Sequence, residues 1–476
     1  RIEEVEGQPG SPITVRGPST GTPARFLGRS CCNTIDLRNV AHLTIQNIVF
    51  DGNGEVVDAI KAGGGESDWT HHITIEGCRF QNHDAGQSNQ QVVAISTKIV
   101  SWDWVVRGNT IDGAGTGAYF GNLDGSGAFI GGLIEGNLFA DTLGYSMQIK
   151  HQEARESVPG VPSEKRVTVI RHNVFIKKDN PSPSGGRPNL LVSGFPDSGA
   201  GSEDHVEIYG NFFYHNDEDS LLQASGRVHL HDNIFVDGTG SAVRFANHQG
   251  KTVIDALVYN NTIYDTARGI NFSDAPSGVS VVQGNAIFSP EPLLGVSGEN
   301  GNVTDSVAAA ASYMNKPSTV LGDMDFYPQG TMLTGSPLDG SVLASDLDYD
   351  RDFNGDPKDF TVRGAYHGSG SNPGWAPGST LKPLPSDSSS TSSSGAGVGG
   401  GGASGAVAGA GGGGPVGIDE ESGCGCAVVG APAEPWLPMW LAALMVSLGL
   451  RRKRHSKVEP HGAASCALPR VDRGGQ

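Results

Sequence analysis

The stretch GYSMQIKHQ, residues 144–152, places Lys150 and His151 at the end of a short alternating run. A lysine beside a histidine can move a proton or hold an anion, and the local pKa and the neighbouring groups decide between the two. With Met147 and Ile149 inward, strand alternation turns Gln148 and Lys150 toward solvent. Tyr119, Arg244 and Asn271 take matching outward places in GAYFGN, AVRFAN and GINFS. Arg187 lies just before a further related stretch, NLLVSG. Tyr119, Gln148, His151, Arg187 and Arg244 thus form a candidate substrate-binding set around Lys150, which is also the candidate proton acceptor. An isolated lysine, with pKa about 10.4, stays protonated at neutral pH, which suits anion contact better than proton abstraction.

Two further constellations could bind metal. DLDYDRDFNGD spaces Asp346, Asp348, Asp350 and Asp352 as a calcium loop does, but it has no bidentate glutamate to close the shell. Asp348, Asp350 and Asp352 are therefore calcium candidates set against a capping turn. His229 and His231 share one face of RVHLHDN, two ligands without a third. None of the six cysteines has zinc-ligand spacing with a second pair, and Cys78 reads as buried.

The formal charge of −18 is unevenly spread. Residues 150–187 carry eight basic and four acidic side chains, against 9 and 16 in residues 1–149 and 8 and 24 in residues 188–372. An acidic body disfavours nucleic acid as a partner, and one basic window within it suits an anionic ligand.

The elements that must position these residues come from an internal repeat. ITIEGCRF, WVVRGNTI, GLIEGNLF, TVIRHNVF, VEIYGNFF, VHLHDNIF, ALVYNNTI and SVVQGNAI each read as an alternating strand, a corner and a second apolar strand. The corner residues are Cys78, Asn109, Asn137, Asn173, Asn211, Asn233, Asn261 and Asn285, with Ile48 in a degenerate first copy. A minimum period near 22 residues with loop-like variation above it predicts an all-β solenoid of about nine coils, adjacent strands about 4.8 Å apart. The asparagine column is then structural, with stacked amides bonding one another and the corner backbone. Two residues before each corner runs an outward column of Glu76, Arg107, Glu135, Arg171, Tyr209, His231, Tyr259 and Gln283, expected as a solvent-exposed ion ladder at its acidic and basic end.

Residues 30–290 resemble the right-handed parallel β-helix superfamily, which includes polysaccharide lyases and polygalacturonases. LDYDRDFNGDPKDFTVRGAYH resembles the closing segment of bacterial relatives, and PITVRG the second half of an early coil whose start is missing. The chondroitinase-B and alginate-lyase branch implies a lysine base, an arginine one coil later and acidic calcium ligands one coil before. Here Val192 stands where that arginine is expected, and GAYFGN has no carboxylate. Paired aspartates of the polygalacturonase type are missing too.

The expected organisation is a β-helix over residues 1–300, a closing segment over 301–372 and a disordered Pro/Ser/Gly-rich linker over 373–422. Residues 423–455 hold GCGC, a short apolar helix and RRKR, and a tail runs over 456–476. The unbroken apolar part, Leu441–Leu450, is too short for a roughly 30 Å hydrocarbon core. This unit resembles the myxobacterial C-terminal sorting domain. The resemblance implies cutting by an envelope sorting protease, with Cys424 or Cys426 as the processed or lipidated residue. It also implies export and attachment to the cell surface or outer membrane of a Gram-negative bacterium, the membrane being touched through this segment alone. The expected function is binding, and cleavage, of an anionic uronate-type polysaccharide. The alternative is a non-catalytic adhesin or structural surface protein. No cofactor other than calcium is indicated.

Overall fold

The structure, a computed structural model, describes residues 1–65, 68–84, 92–156, 160–179, 182 and 185–385. Cys424 and Cys426, with the apolar run and the basic cluster, lie outside the described residues. No helix among the described residues is long and apolar enough to cross a membrane.

The repeats fold as a parallel β-helix, every long-range strand pairing in the coils being parallel. Three sheets run along it. The strand before each corner, such as Val105–Arg107, stacks on its counterpart Leu133–Glu135 in the next coil. The strand after the corner, such as Thr110–Ala114, stacks on Leu138–Thr142. The third sheet contains Ile60–Ala62, Val93–Thr97, Thr116–Phe120, Met147–Ile149, Leu190–Val192 and Leu222–Ala224, then the ends of two long strands at Arg244 and Asn271.

The core follows from the repeat spacing. The apolar residue two places after each corner points inward, so identical rings meet one coil apart. Phe139, Phe175, Phe213 and Phe235 stack with centroids 5.0, 4.7 and 4.7 Å apart. Each such pair adds about 0.5–1.5 kcal/mol beyond the area that it buries. At the corner, Asn211 Nδ2 donates to Ile170 O at 2.9 Å and to Asn233 Oδ1 at 3.0 Å, while Asn211 Oδ1 accepts from the Asn173 backbone amide at 2.8 Å. The same bonds repeat from Asn109 to Asn285. The ladder begins under Cys78, whose backbone amide donates to Asn109 Oδ1. It runs one coil beyond the expected column, to Asn302, at only 17 residues from Asn285.

The chain after the coils does not cap their end alone. It folds back along the pre-corner sheet, so the later part of the column expected in solvent is covered, while Glu76 and Arg107 stay partly exposed. Glu135 is 2% exposed and His231 is fully buried, stacked between Tyr209 and Tyr259 at 4.7 and 4.6 Å. Asp346 accepts from Tyr259 and pairs with His229, and Leu347 N donates to Glu207. In the Glu–Arg part of the column Arg107 and Arg171 both pair with Glu135, at 3.5 and 2.8 Å, and the buried Arg171–Glu135 pair is not the solvent-exposed one expected. Packing also continues past the expected linker start at residue 373. Trp375 meets Phe212 edge-on, and Lys382 is buried with its ammonium on Phe353 O and Gly210 O.

Candidate functional site

The third sheet carries the sequence-predicted site, and its register places the groups. Lys61, Ser96, Tyr119, Gln148, Leu191, Gln223, Arg244 and Asn271 form one outward row on successive coils. Two residues along, a second outward row holds Lys98, Gly121, Lys150, Ser193 and Ser225. The neighbour of Lys150 on the next coil is therefore Ser193. Val192 lies beneath Ile149 and points inward.

The expectation of solvent-facing side chains is corrected here. Tyr119 and Lys150 are each 5% exposed and Gln148 2%. They do point away from the core, but the loops between coils close over them. Glu153 N donates to Gly125 O, Gln152 N to Gly194 O, and Lys251 pairs with Glu153 at 3.0 Å. Gly125 has φ +84, and a Cβ there would stand 2.9 Å from the His151 ring, so only glycine lets this loop lie on the histidine. His151 Nδ1 is 3.0 Å from Gln249 Oε1, which ties it to the loop three coils on.

Beneath this cover, Lys98 Nζ sits 2.7 Å from the centroid of the Tyr119 ring, and Lys150 Nζ is 5.9 Å from the same ring. Burial pushes Lys98 down to about 7, opposed by Asp58 and assisted by Lys61 and Lys150. Burial alone brings Lys150 down to about 8, and no carboxylate pairs with it among the described residues. Burial also lowers His248 to about 4, helped by Lys150, His151 and Arg244. Lys61, Lys98, Lys150, His248 and Arg244 thus form a line of basic groups across the coils. Gln148 Nε2, Ser193 Oγ and Ser225 Oγ lie buried along it without a hydrogen-bond partner among the described residues. Such a surface can hold a carboxylate and the hydroxyls around it. Lys98 can also take or give a proton at neutral pH.

Of the predicted residues, Tyr119, Gln148, Lys150 and His151 come together. Arg244 joins through His248 and donates to Ser273 Oγ at 3.1 Å. Arg187 does not: its guanidinium lies 5.8 Å from the Tyr145 ring and donates to Gly186 O, at the other end of the coil strand. Lys98 was missed, although VVAISTK, TGAYFGN and SMQIKHQ align it with Gly121 and Lys150 once the third-sheet strands are superposed.

The calcium candidates serve the closing segment. Asp352 accepts three backbone amides, from Asn354, Asp356 and His367. Asp348 accepts from Tyr209 OH at 2.9 Å, and Asp350 lies beside Arg351. The three carboxylates turn to different partners, as a capping turn requires. His229 and His231 likewise separate, His229 to Asp346 and His231 to Asp232.

A wider cleft of about 960 Å³ opens on the post-corner sheet, lined by Arg79, Asp112, Asp141, Lys178, Asp179 and His215 among others. Its charges cancel in pairs: Arg79–Asp112, Lys178–Asp141, and His215 between Asp179 and Asp237. It offers less to an anion than the third-sheet groove.

The fold and the groove define a parallel β-helix protein with a basic, loop-covered cleft. No protein-family profile matches the chain, and no curated protein matches its sequence. Among solved structures it is similar to the A-module of the Azotobacter vinelandii mannuronan C-5 epimerase AlgE6, at 14% identity and TM-score 0.36, over 63% of this chain and 81% of that one. The A-module of AlgE4 from the same organism follows at 12% and 0.30, over 64% and 85%. Tailspike protein 3 of bacteriophage CBA120 matches at 11% and 0.28, over 71% and 60%.

Proposed function

We propose that the chain binds an anionic, uronate-type polysaccharide along the third sheet, with Lys98 and Lys150 receiving a carboxylate beside the Tyr119 ring. The observation that carries this is Lys150: a buried cation, next to a second lysine, with no carboxylate opposite it. Burying such a charge is costly unless a ligand supplies the counter-charge. The partly exposed Lys61, Lys98, Arg244 and His248 form the rim by which an acidic chain would enter.

Lys98 supports a second step. A lysine whose pKa is about 7 is half neutral at neutral pH and can accept the proton beside a uronate carboxylate, while protonated Lys150 stabilises the developing negative charge. The test is to incubate the protein with a panel of uronate polysaccharides in D₂O. Deuterium in the recovered sugar, or new 4,5-unsaturated ends, marks proton abstraction. Binding that weakens with salt and with Lys150→Ala, without exchange, marks a binding protein. No binding to any polyuronate would leave the adhesin or structural reading.

Residues 423–455 motivate the address. The Cys motif, the short apolar run and the arginine cluster support export, cutting at Cys424 or Cys426 by an envelope sorting protease, and attachment to the cell surface.

A further inference from the structure

We propose that His42, His71 and His72 form a binding site for a divalent transition-metal ion, with zinc as the best chemical match. The three histidines meet where the third sheet turns into the pre-corner sheet, on two successive coils. Ala41 is registered with His71, which sets His42 against His72. One nitrogen from each ring lies within 4.8 Å of the others. His71 Nδ1 and His72 Nδ1 are 2.8 Å apart, and the His42 ring lies 4.4 Å from that of His72. Among the described residues no side-chain hydrogen bond engages His42.

The 2.8 Å contact between His71 Nδ1 and His72 Nδ1 is a hydrogen bond that a bound metal ion would replace, its proton passing to solvent. The other nitrogen of His72, Nε2, lies 3.5 Å from Asp103 Oδ2, which leaves Nδ1 as the ligating atom. A carboxylate on the far nitrogen is the usual support of a metal-bound histidine. Arg166 holds Asp103 in place from the other side. Trp102 stacks on His71 at 4.3 Å and fixes the orientation of that ring. Three nitrogen donors in a partly exposed corner leave a fourth, solvent-facing position, and the set suits zinc, not calcium or magnesium, which take oxygen.

The site is separate from the lysine groove and does not depend on its function. The test is calorimetric titration of the chelator-treated full chain with Zn²⁺ at pH 7.5, with Co²⁺ absorption as the second readout. One site is expected that weakens at least 10-fold in His72→Ala and in His42→Ala, and about 10-fold in Asp103→Asn. Cobalt should give visible bands without thiolate charge transfer, because the cysteines also attract zinc. Should an alanine variant fail to fold, His42→Gln carries the same comparison. Equal affinity in the parent and the histidine variants, or a cobalt spectrum of thiolate ligation alone, would overturn the proposal.

Discussion

Lys98 and Lys150 share one tyrosine ring and one patch of low-dielectric surroundings, and the charge of Lys150 adds to the burial that lowers Lys98. Both titrate below the ordinary lysine range, at about 7 and about 8. An anion is held by the protonated forms. Affinity for a polyuronate should therefore be highest below pH 7 and fall as pH rises through 8, measured at constant ionic strength. Stability moves with the same groups. For a lysine lowered in the folded state, the unfolded chain binds more protons between the two pKa values, so stability rises with pH across that interval. The cost of Lys150 is present in full below pH 8 and fades toward 10.5. Lys150→Met should thus stabilise the unliganded protein at pH 6, by up to about 3 kcal/mol, with the gain shrinking by pH 10. Urea midpoints at the two pH values check this. A destabilised variant at pH 6 would mean that Lys150 already has a counter-charge.

The corner asparagines and the closing segment are the elements on which the groove rests. Asn211→Ala would strand Ile170 O and the Asn173 amide in a fully buried corner. Each stranded group costs about 1–3 kcal/mol, so a loss of roughly 3 kcal/mol in denaturant unfolding is expected. An unchanged midpoint would remove the ladder as a source of stability. The closing segment gives a second comparison. Trp375 and Lys382 pack against the coils, so a chain ending at Pro385 should outlast one ending at Asn372. The expected difference is at least about 1–3 kcal/mol, since the buried carbonyls of Gly210 and Phe353 lose their donor. Equal melting of the two fragments would place 373–385 outside the folded unit.

At the scale of the whole molecule, the acidic body repels a polyanion and only the basic groove attracts it, so binding should weaken with rising ionic strength where the groove contacts outweigh that repulsion. The proposed address belongs to this scale too. Replacing Cys424 and Cys426 by alanine should release the protein from the envelope or leave its C-terminal segment uncut, seen by fractionation and intact mass. A double variant that is shortened and retained like the parent would refute a role for the cysteines.

How much of this was legible in the sequence depended on whether the relevant contacts repeat. The solenoid, the inward aromatics and the asparagine ladder were, because each coil meets an almost identical copy of itself and the period alone aligns the partners. Even there Asn302 escaped, since a coil of 17 residues falls below the spacing seen elsewhere. Alternation correctly turned Gln148 and Lys150 away from the core. It could not show that loops from neighbouring coils would bury them, nor that the closing segment would double back over His231 and Tyr259. Those contacts join residues far apart in sequence without a common period, as His151–Gln249 and His229–Asp346 do. The residue types and the direction each side chain faces were thus set by local pattern. Their burial, their shifted pKa values and the meeting of Lys98 with Lys150 came only from the tertiary structure, because desolvation depends on everything packed around a group.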